Sequence, residues 1–468
     1  MRTKNEENWL KKYKELCDFL LEKGHMPLKR HVEDRRLLNW WKYNKKCRNA
    51  GLLSEERARL LDEIRPPVIE ERSSGVRVKS VNFNYPVRRQ GTNCYKYDTM
   101  PNEDTIPLWV ADMDFETAPC IMAALRRRMN HGCFGYTAVP DSFYQATIDW
   151  FDRRHGWKPE RQWFIYTTGV IPALSAIVKA MTQPGDKVLV QQPVYNCFFS
   201  SIRNNDCIVE DNTLKPVYQS EENSLTYTID FEDFERRCAD PLVKVFILCN
   251  PHNPAGRLWK PEELQRMGEI CKRHGVFVIA DEIHCEFTYN GTIYTPFASV
   301  SDAPCAVCVS PSKAFNIAGL QIANIICADK DIRERIDRAI NINETCDVNP
   351  FGVIALQAAY TAEGEVWLTK LNEYIYNNYL YVRHFINDNF PTLRVGKLEA
   401  TYLMWIDVSP LGIDGDQAVQ RLLHNANIFV SAGSHYGEPG RNFIRVNLAT
   451  QRLRLEEAAQ RILQCKQQ

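Results

Sequence analysis

The chain has 468 residues, and 44% of them are hydrophobic, which is enough to form the cores of two or three domains. The 58 basic and 58 acidic residues cancel, but residues 1–65 hold 17 basic and 11 acidic ones, so the basic excess lies only at the N-terminus. The 16 scattered cysteines, and the lack of an 18-residue apolar run or a signal-like start, predict a cytoplasmic protein with reduced thiols and no membrane span.

The first predicted elements are three short helices. One apolar stripe at helical spacing consists of Trp9, Tyr13, Leu16 and Leu20, and Gly24 is expected to end that helix. A second stripe consists of Leu37, Leu38, Trp40, Trp41 and Tyr43. A third helix is expected to begin after Ser54, whose hydroxyl can cap the first turn. Residues 66–80, which begin with two prolines, are predicted to be a linker.

From Tyr85 onward, short apolar runs alternate with amphipathic helices, as in an α/β sheet that has helices on both faces. The predicted strands are Trp163–Thr167, Lys187–Gln191, Val243–Cys249, Val276–Ala280, Ala306–Val309 and Ile322–Ala328. After Glu344 the pattern changes to long helices with β segments at Tyr402–Asp407 and Phe443–Asn447. This change predicts a smaller C-terminal domain.

Three of these strands are followed by chemically distinctive residues. Asn253 follows Val243–Cys249, Asp281 ends the next strand, and Lys313 follows Ala306–Val309 among the residues Ser-Pro-Ser-Lys-Ala-Phe-Asn-Ile-Ala-Gly. In open α/β sheets, ligands bind at the carboxyl ends of the strands. A lysine placed there beside hydroxyls that can bind phosphate indicates a cofactor site with a Schiff-base lysine.

The order and spacing of these residues resemble the fold-type I pyridoxal-phosphate (PLP) enzymes. Within that group, several segments resemble the MalY/PatB-type carbon–sulfur β-lyases, also called cystathionine β-lyases; these segments are 110–115, 134–137, 281–284, 310–316 and 401–405. The resemblance runs from about Tyr85 to the C-terminus. It implies a large PLP-binding domain with a mainly parallel sheet at residues 85–345 and a small α/β domain at 346–468, preceded by a linker at 69–84.

The resemblance also implies a role for individual residues. Lys313 would form the imine with PLP and move the proton, Asp281 would keep the ring nitrogen protonated, and Arg445 would grip the substrate carboxylate. The other residues implied to bind the cofactor are Val170, Ile171, Tyr195, Asn253, His284, Ser310 and Ser312. Tyr136 matches a tyrosine that reaches the phosphate of the neighbouring subunit, which implies a homodimer. No metal site is predicted.

Two other motifs carry little weight. Asp281-Glu-Ile-His284 has the form of a helicase Walker B box, but the chain contains no phosphate loop G-x-x-x-x-G-K-[ST]. Cys305 and Cys308 have C-x-x-C spacing but lie on an apolar strand without a partner motif, which favours core packing. Many aminotransferases have a phosphate-binding arginine after the lysine, whereas residues 316–324 contain none; the lyase branch also lacks it.

The predicted function is therefore PLP-dependent β-elimination from cystathionine or another cysteine S-conjugate, giving a thiol, pyruvate and ammonia. An aminotransferase of class I/II remains the alternative within the fold. Residues 1–68 resemble the helicase-associated domain, a tryptophan-rich helical module, and are expected to bind nucleic acid or protein. A third alternative is therefore a ligand-sensing regulator whose N-terminal module binds nucleic acid.

Overall fold

The computed structural model describes residues 4–23, 27, 34–64, 81–219, 223–344 and 347–466. Gly24 and the predicted linker at residues 66–80 lie outside these ranges. Across the described residues, no helix combines the length and the apolar character that a membrane crossing requires. The domain boundaries predicted at residues 68, 84 and 345 stay predictions.

Three helices form the N-terminal unit: α1 (Lys4–Lys23), α2 (Arg35–Asn49) and α3 (Glu55–Glu63). The first predicted stripe is confirmed, because Trp9, Tyr13, Leu16 and Leu20 are all buried. They share a small core with Leu60, Leu61 and Ile64. The predicted cap of the third helix is also confirmed, since the Ser54 hydroxyl accepts a hydrogen bond from the backbone N–H of Arg57 at 3.4 Å.

The second predicted stripe is only partly correct. Leu37, Trp40 and Trp41 pack partly against the core of the N-terminal unit, whereas Tyr43 is 67% exposed. The buried residue on this helix is Asn44, whose side-chain oxygen accepts a 2.6 Å hydrogen bond from the Trp9 indole. Neighbouring helix residues point about 100° apart, so a buried Asn44 turns Tyr43 away from the core.

The rest of the described chain alternates strands and helices. The strands are β1 (Ile106–Pro107), β2 (Phe164–Thr167), β3 (Lys187–Val190), β4 (Ile208–Asp211), β5 (Lys215–Gln219), β6 (Ser224–Thr228), β7 (Val243–Cys249), β8 (Phe277–Asp281), β9 (Cys305–Val309), β10 (Ala323–Ile326), β11 (Arg394–Gly396), β12 (Leu403–Asp407), β13 (Ile428–Phe429), β14 (Ser431–Ala432) and β15 (Phe443–Asn447). The predicted strands are thus confirmed, with ends that shift by one or two residues.

The helices of this part are α4 (Tyr95–Asp98), α5 (Pro119–His131), α6 (Asp141–His155), α7 (Val170–Met181), α8 (Cys197–Arg203), α9 (Phe231–Cys238), α10 (Pro261–His274), α11 (Phe297–Val300), α12 (Lys330–Asn341), α13 (Pro350–Ala359), α14 (Ala362–Asn389), α15 (Gly415–Ala426) and α16 (Arg452–Lys466).

Seven of the described strands form the central sheet, in the order β2-β10-β9-β8-β7-β3-β4. Strand β10 runs antiparallel to both of its neighbours, and the other pairs are parallel. Apolar side chains of α7, α8 and α12 cover one face of the sheet, and those of α5, α6, α9, α10 and α13 cover the other. Because β7, β8 and β9 are parallel neighbours, their carboxyl ends meet at one edge.

A second sheet has the order β14-β15-β12-β11-β6-β5 in the described residues. Its hairpin β5–β6 comes from the middle of the chain, and its other strands come from the C-terminal part. Strand β1 pairs with β13 in parallel, so the segment that follows β1 starts beside the C-terminal part of the chain. This segment leads directly to the site described next.

Candidate active site

A cavity of about 180 Å³ lies at the carboxyl ends of the central strands. Ala111, which follows β1, encloses it together with residues at or just after the carboxyl ends of β2, β3, β7, β8 and β9; the latter include Thr168, Gly169, Val170, Ile171, Tyr195, Asn253, Asp281, His284, Ser312 and Lys313. Eight of the predicted site residues therefore line one cavity. Those that do not are Tyr136, Ser310 and Arg445.

Lys313 follows β9 and projects into this cavity. Its Nζ donates a 2.8 Å hydrogen bond to the backbone carbonyl of Ala111. Burial lowers the pKa of Lys313 from the ordinary value of a lysine, and the Arg445 guanidinium acts in the same direction, while Asp112 and Asp281 oppose it. A lowered pKa makes the neutral amine more available as a nucleophile or a base.

Asp281 is the last residue of β8 and is almost completely buried. Its Oδ1 accepts a hydrogen bond from the backbone N–H of Ile283 at 3.2 Å. Burial raises the pKa of Asp281 to about 7, although this N–H and Lys313 counteract the rise. No residue that the structure describes forms an ion pair with this carboxylate, and a cationic ligand atom would supply the missing partner.

His284 lies one turn further along and is also buried. Burial lowers its pKa well below the ordinary value of a histidine, so the ring is neutral. Within the described part of the chain, its Nδ1 has no hydrogen-bond partner. A buried nitrogen without a partner at the wall of a cavity is available to a ligand.

The N-terminus of α7 forms one end of the cavity. Gly169 is the residue before the helix, and the first helical residues are Val170 and Ile171. The first backbone N–H groups of a helix have no partner within it, and the helix dipole makes this end favourable for an anion. Ser312, on the facing loop, adds a hydroxyl to the same cavity. This end fits a phosphate group.

Arg445 lies in β15 of the second sheet and reaches the site through its neighbours. Its Nη1 donates to the side-chain oxygen of Asn253 at 3.0 Å, and its Nη2 donates to the backbone carbonyl of Trp109 at 2.9 Å. The guanidinium is buried over the Tyr436 ring, 4.7 Å from its centroid. Its Nε has no partner among the residues described, which leaves one donor for a carboxylate.

The structure places two predicted cofactor residues away from the cavity. The Ser310 hydroxyl donates to the backbone carbonyl of Ile322 at 2.5 Å and accepts from the backbone N–H of Ser312 at 3.0 Å. It therefore shapes the loop that carries Ser312. Tyr136 is 99% exposed on the loop between α5 and α6.

The strap, residues 109–113, is the part of the site whose role the sequence did not reveal. It follows β1, and its Ala111 is part of the cavity wall. Its carbonyls accept hydrogen bonds from Lys313, Arg445 and, at Val110 and Asp112, from the Asn447 side chain at 2.7 Å. In the sequence the segment stood out only through the family resemblance. Every residue type has a backbone carbonyl, so contacts made by carbonyls cannot be read from the residue types.

The cavity fits PLP, the cofactor that the sequence resemblance implies. It combines an amine, a carboxyl group in need of a cation, a helix N-terminus suited to phosphate and the half-buried ring of Tyr195. Its donors are nitrogen and hydroxyl groups of the kind that bind phosphate and carboxylate. These groups lie at or after the ends of four separate strands, β2, β3, β8 and β9, so the tertiary fold assembles the site.

Comparison with known proteins gives consistent results. The profile of the family "Aminotransferase class I and II" matches residues 103–462, and that of "Helicase associated domain" matches residues 6–67. Cystathionine beta-lyase PatB of Bacillus subtilis (strain 168) is 39% identical over 389 residues, which cover 82% of this chain and 99% of PatB. Protein MalY of Escherichia coli (strain K12) is 33% identical over 383 residues, covering 80% and 96%.

Among solved structures, the PLP-bound C–S lyase of Staphylococcus hominis has a TM-score of 0.76 and 31% identity to this chain. The match covers 83% of this chain and 98% of that structure. These likenesses confirm the predicted fold class, a fold-type I α/β fold joined to a helical N-terminal region.

The raised pKa of Asp281 gives a pH-dependent prediction for the cofactor-free protein. Asp281 ionises near pH 4 when unfolded but only near pH 7 when folded, so its ionisation costs folding free energy as pH rises from about 4 to about 7. We expect Asp281→Asn to remove this cost. The substitution should raise the free energy of unfolding by a few kcal/mol at pH 8 and by less at pH 5, so Tm should rise more at pH 8 than at pH 5.

Thermal unfolding of the cofactor-free protein at both pH values tests this expectation. Asp152→Asn, at a half-exposed site beside Lys158, is the matched control and should show no such difference. Despite its gain in stability, Asp281→Asn should bind PLP more weakly, because the ring nitrogen loses its anionic partner. Equal Tm changes at pH 5 and pH 8 would contradict the assignment.

Proposed function

Because the chain belongs to the aminotransferase class I and II family, we propose that it is a PLP-dependent carbon–sulfur β-lyase. Its substrate is cystathionine or another small cysteine S-conjugate, and its products are a thiol, pyruvate and ammonia. The observation that carries the proposal is the convergence of Lys313, Asp281 and the α7 N-terminus on one cavity. The names of PatB and of the S. hominis C–S lyase support the lyase reaction.

Bound PLP supplies an electron-withdrawing ring that stabilises negative charge at the substrate's α-carbon. The chain's own residues bind and orient it. The N–H groups of Val170 and Ile171 hold the phosphate, and Asp281 holds the ring nitrogen in its protonated form. Tyr195 contributes its ring as a wall of the cavity.

Lys313 and Arg445 act on the amino acid substrate. Arg445, whose Nε is a spare buried donor, binds the α-carboxylate and fixes the orientation of the α-carbon. The Lys313 amine takes the proton from that carbon, which its lowered pKa permits near neutral pH. The thiolate then leaves from the β-carbon with the electron pair of the C–S bond.

Replacement of Lys313 tests the proposal directly. Lys313→Ala removes both the amine that bonds the cofactor and the proton acceptor, so pyruvate release from cystathionine should fall by about 10³-fold or more. The visible absorbance of the purified protein should change as well. Lys330→Ala, on the exposed first turn of α12, is the matched control and should keep both properties.

The assay is run with and without an added 2-oxo acid. Pyruvate release that needs no 2-oxo acid supports the lyase. Wild-type rates in Lys313→Ala would contradict the role of this residue, and amino transfer to the 2-oxo acid without pyruvate release would identify an aminotransferase instead.

The proposal includes a homodimer. Tyr136 is 99% exposed, Phe134 is 54% exposed and Met129 is 58% exposed, which places three large apolar side chains on the surface near one another in sequence. Where exposed apolar side chains form a contiguous patch, the patch commonly marks an interface with another protein chain. A second copy of the chain would cover them and bring Tyr136 towards the other cofactor.

Tyr136→Phe removes a single hydroxyl and tests this arrangement. PLP binding should weaken by about 1–3 kcal/mol, the contribution of one hydrogen bond to a charged phosphate. Tyr43→Phe removes a hydroxyl from another exposed tyrosine, in the N-terminal unit, and should leave PLP affinity unchanged. A fully active monomer in sedimentation analysis would contradict the dimer.

The proposed compartment is the cytoplasm. None of the 15 cysteines in the described residues forms a disulfide. Cys308 packs into the core on one face of the central sheet and Cys305 against the core on the other face, so the C-x-x-C pair is part of the packing. Free thiols in this number suit a reducing environment.

Residues 1–68 are proposed to be an accessory domain that binds nucleic acid or protein and takes no part in the chemistry. Its core is separate from the two cores of the central sheet, and no residue of the cavity belongs to it. The match to PatB covers 99% of that protein with only 82% of this chain, so a relative of the lyase region is built without such an addition.

A shortened chain that starts at Val76 tests the boundary. We expect it to bind PLP, to dimerise and to release pyruvate at close to the full-length rate. Its Tm should be slightly lower, because Leu453 of α16 packs against the core of the N-terminal unit and would lose that contact. An insoluble or inactive product that still binds cofactor would contradict the boundary.

A further inference from the structure

The basic excess of the N-terminal unit is concentrated in α2. This helix of 15 residues carries six basic side chains and no acidic one. In α1 the basic and acidic residues are equal in number, and in α3 the acidic ones outnumber the basic ones. The uneven charge is therefore a property of one helix.

Within α2 the charge lies on the side opposite the core. Asn44 marks the buried side, and at about 100° per residue Arg35, Lys42 and Lys46 point within about 20° of the opposite direction. Lys45 is next to them. We call these four exposed residues the basic stripe; it is about 16 Å long at 1.5 Å per residue.

The charges of the basic stripe are not neutralised within the described residues. The other two basic residues of α2 form ion pairs, Arg36 with Glu15 at 3.2 Å and Arg48 with Asp62 at 2.5 Å. No residue of the stripe forms an ion pair with any residue that the structure describes. A row of four unpaired cations repels itself, and a polyanion would relieve that repulsion.

We propose that the basic stripe binds the phosphate backbone of duplex DNA. A straight helix with cations along one side matches the regular phosphates of a duplex, whereas a single strand is normally held by stacking on aromatic side chains. The stripe itself has no aromatic residue; Trp40 and Trp41 pack partly against the core, and Tyr43, beside the stripe, is the single exposed ring of α2, which is too few to stack successive bases. After residue 65 the chain carries 41 basic and 47 acidic residues, so the rest of the molecule has no net positive charge to attract DNA.

The surface is distinct from the cavity of the proposed lyase, so either proposal can fail without the other. Leu453 packs against the core of the N-terminal unit, which joins the unit to the last helix of the catalytic part. The enzyme would then be held at DNA while its active site remains accessible. Contacts to phosphates alone predict binding that depends on salt and hardly on base sequence.

Fluorescence anisotropy of the full-length holoenzyme with a labelled duplex of about 20 base pairs tests the proposal, with salt varied from about 50 to 200 mM. In the triple variant Lys42→Gln, Lys45→Gln, Lys46→Gln, affinity at the lower salt should fall at least about tenfold. The slope of log affinity against log salt should decrease by about 2–3, because up to three phosphate contacts are lost.

Glutamine keeps the helix propensity of these exposed positions. Unchanged helical circular dichroism and thermal unfolding of residues 1–68, prepared with and without the substitutions, would show that the N-terminal unit of the variant is folded. The matched control is Lys179→Gln, Lys330→Gln, Lys370→Gln, three exposed lysines outside the unit, and it should bind duplex like the wild type. Equal affinities of the stripe variant and the wild type, or no binding at the lower salt, would overturn the proposal. Tighter binding of poly-glutamate or of single strands through the same lysines would also overturn it, in favour of an acidic protein or a single-stranded partner.

Discussion

The active site depends on five consecutive backbone carbonyls, those of the strap. Every one of them accepts a hydrogen bond from a side chain elsewhere in the chain. Arg445 and Ser431 donate to the carbonyl of residue 109, Asn447 donates to that of residue 110, and Lys313 donates to that of residue 111. Asn447 and Lys96 donate to the carbonyl of residue 112, and Arg89 and Asn316 donate to that of residue 113. Lys313 and Asn316 follow a strand of the central sheet, whereas Ser431, Arg445 and Asn447 belong to the second sheet. The strap therefore fixes the distance between the proposed base and the proposed carboxylate site.

Buried ion pairs hold the strap in turn. The Lys96 ammonium is fully buried and lies 2.9 Å from the Asp114 carboxylate, while Arg89 contacts Asp112 at 2.7 Å and Asp114 at 3.1 Å. Removing one member of the buried Lys96–Asp114 pair is expected to cost about 3–5 kcal/mol, because the partner charge is left without compensation; the pair of Arg89 with Asp112 is partly exposed and contributes less. Displacement of the strap would separate these two cations from the two carboxylates and would therefore cost free energy. A rigid strap suits this reaction, because the base must be held in a fixed position relative to the one carbon from which it takes the proton.

The sequence predicted the central sheet and most of the cavity because both follow from local patterns. Apolar runs define the strands, and a parallel sheet brings the residues at their carboxyl ends together. The sequence alone therefore predicts that Asn253, Asp281 and Lys313 lie close to one another. The function of the strap could not be predicted, since its side-chain donors are 16 to 337 residues away in sequence and its acceptors are main-chain atoms. Ser310 shows a related limit: its hydroxyl satisfies a backbone carbonyl in the loop, and residue type alone cannot tell that from a phosphate contact.

The chemistry of the site and its stability oppose each other. The burial that lowers the pKa of Lys313, and so favours the neutral amine that the reaction uses, also raises the pKa of Asp281 to about 7 and so disfavours the carboxylate that the ring nitrogen of the cofactor needs. Keeping these polar groups buried costs folding free energy. The strands around the site are buried on both faces, and this hydrophobic burial offsets part of the cost. A bound cofactor would offset more of it, because its anionic group would accept from the unpaired donors and its cationic ring nitrogen would pair with the carboxylate. The Arg445 Nε and the His284 Nδ1, which have no hydrogen-bond partner among the described residues, lie at the same site and are available to the same ligands. Binding of the cofactor is therefore expected to complete the fold of the cavity as well as to enable its reaction.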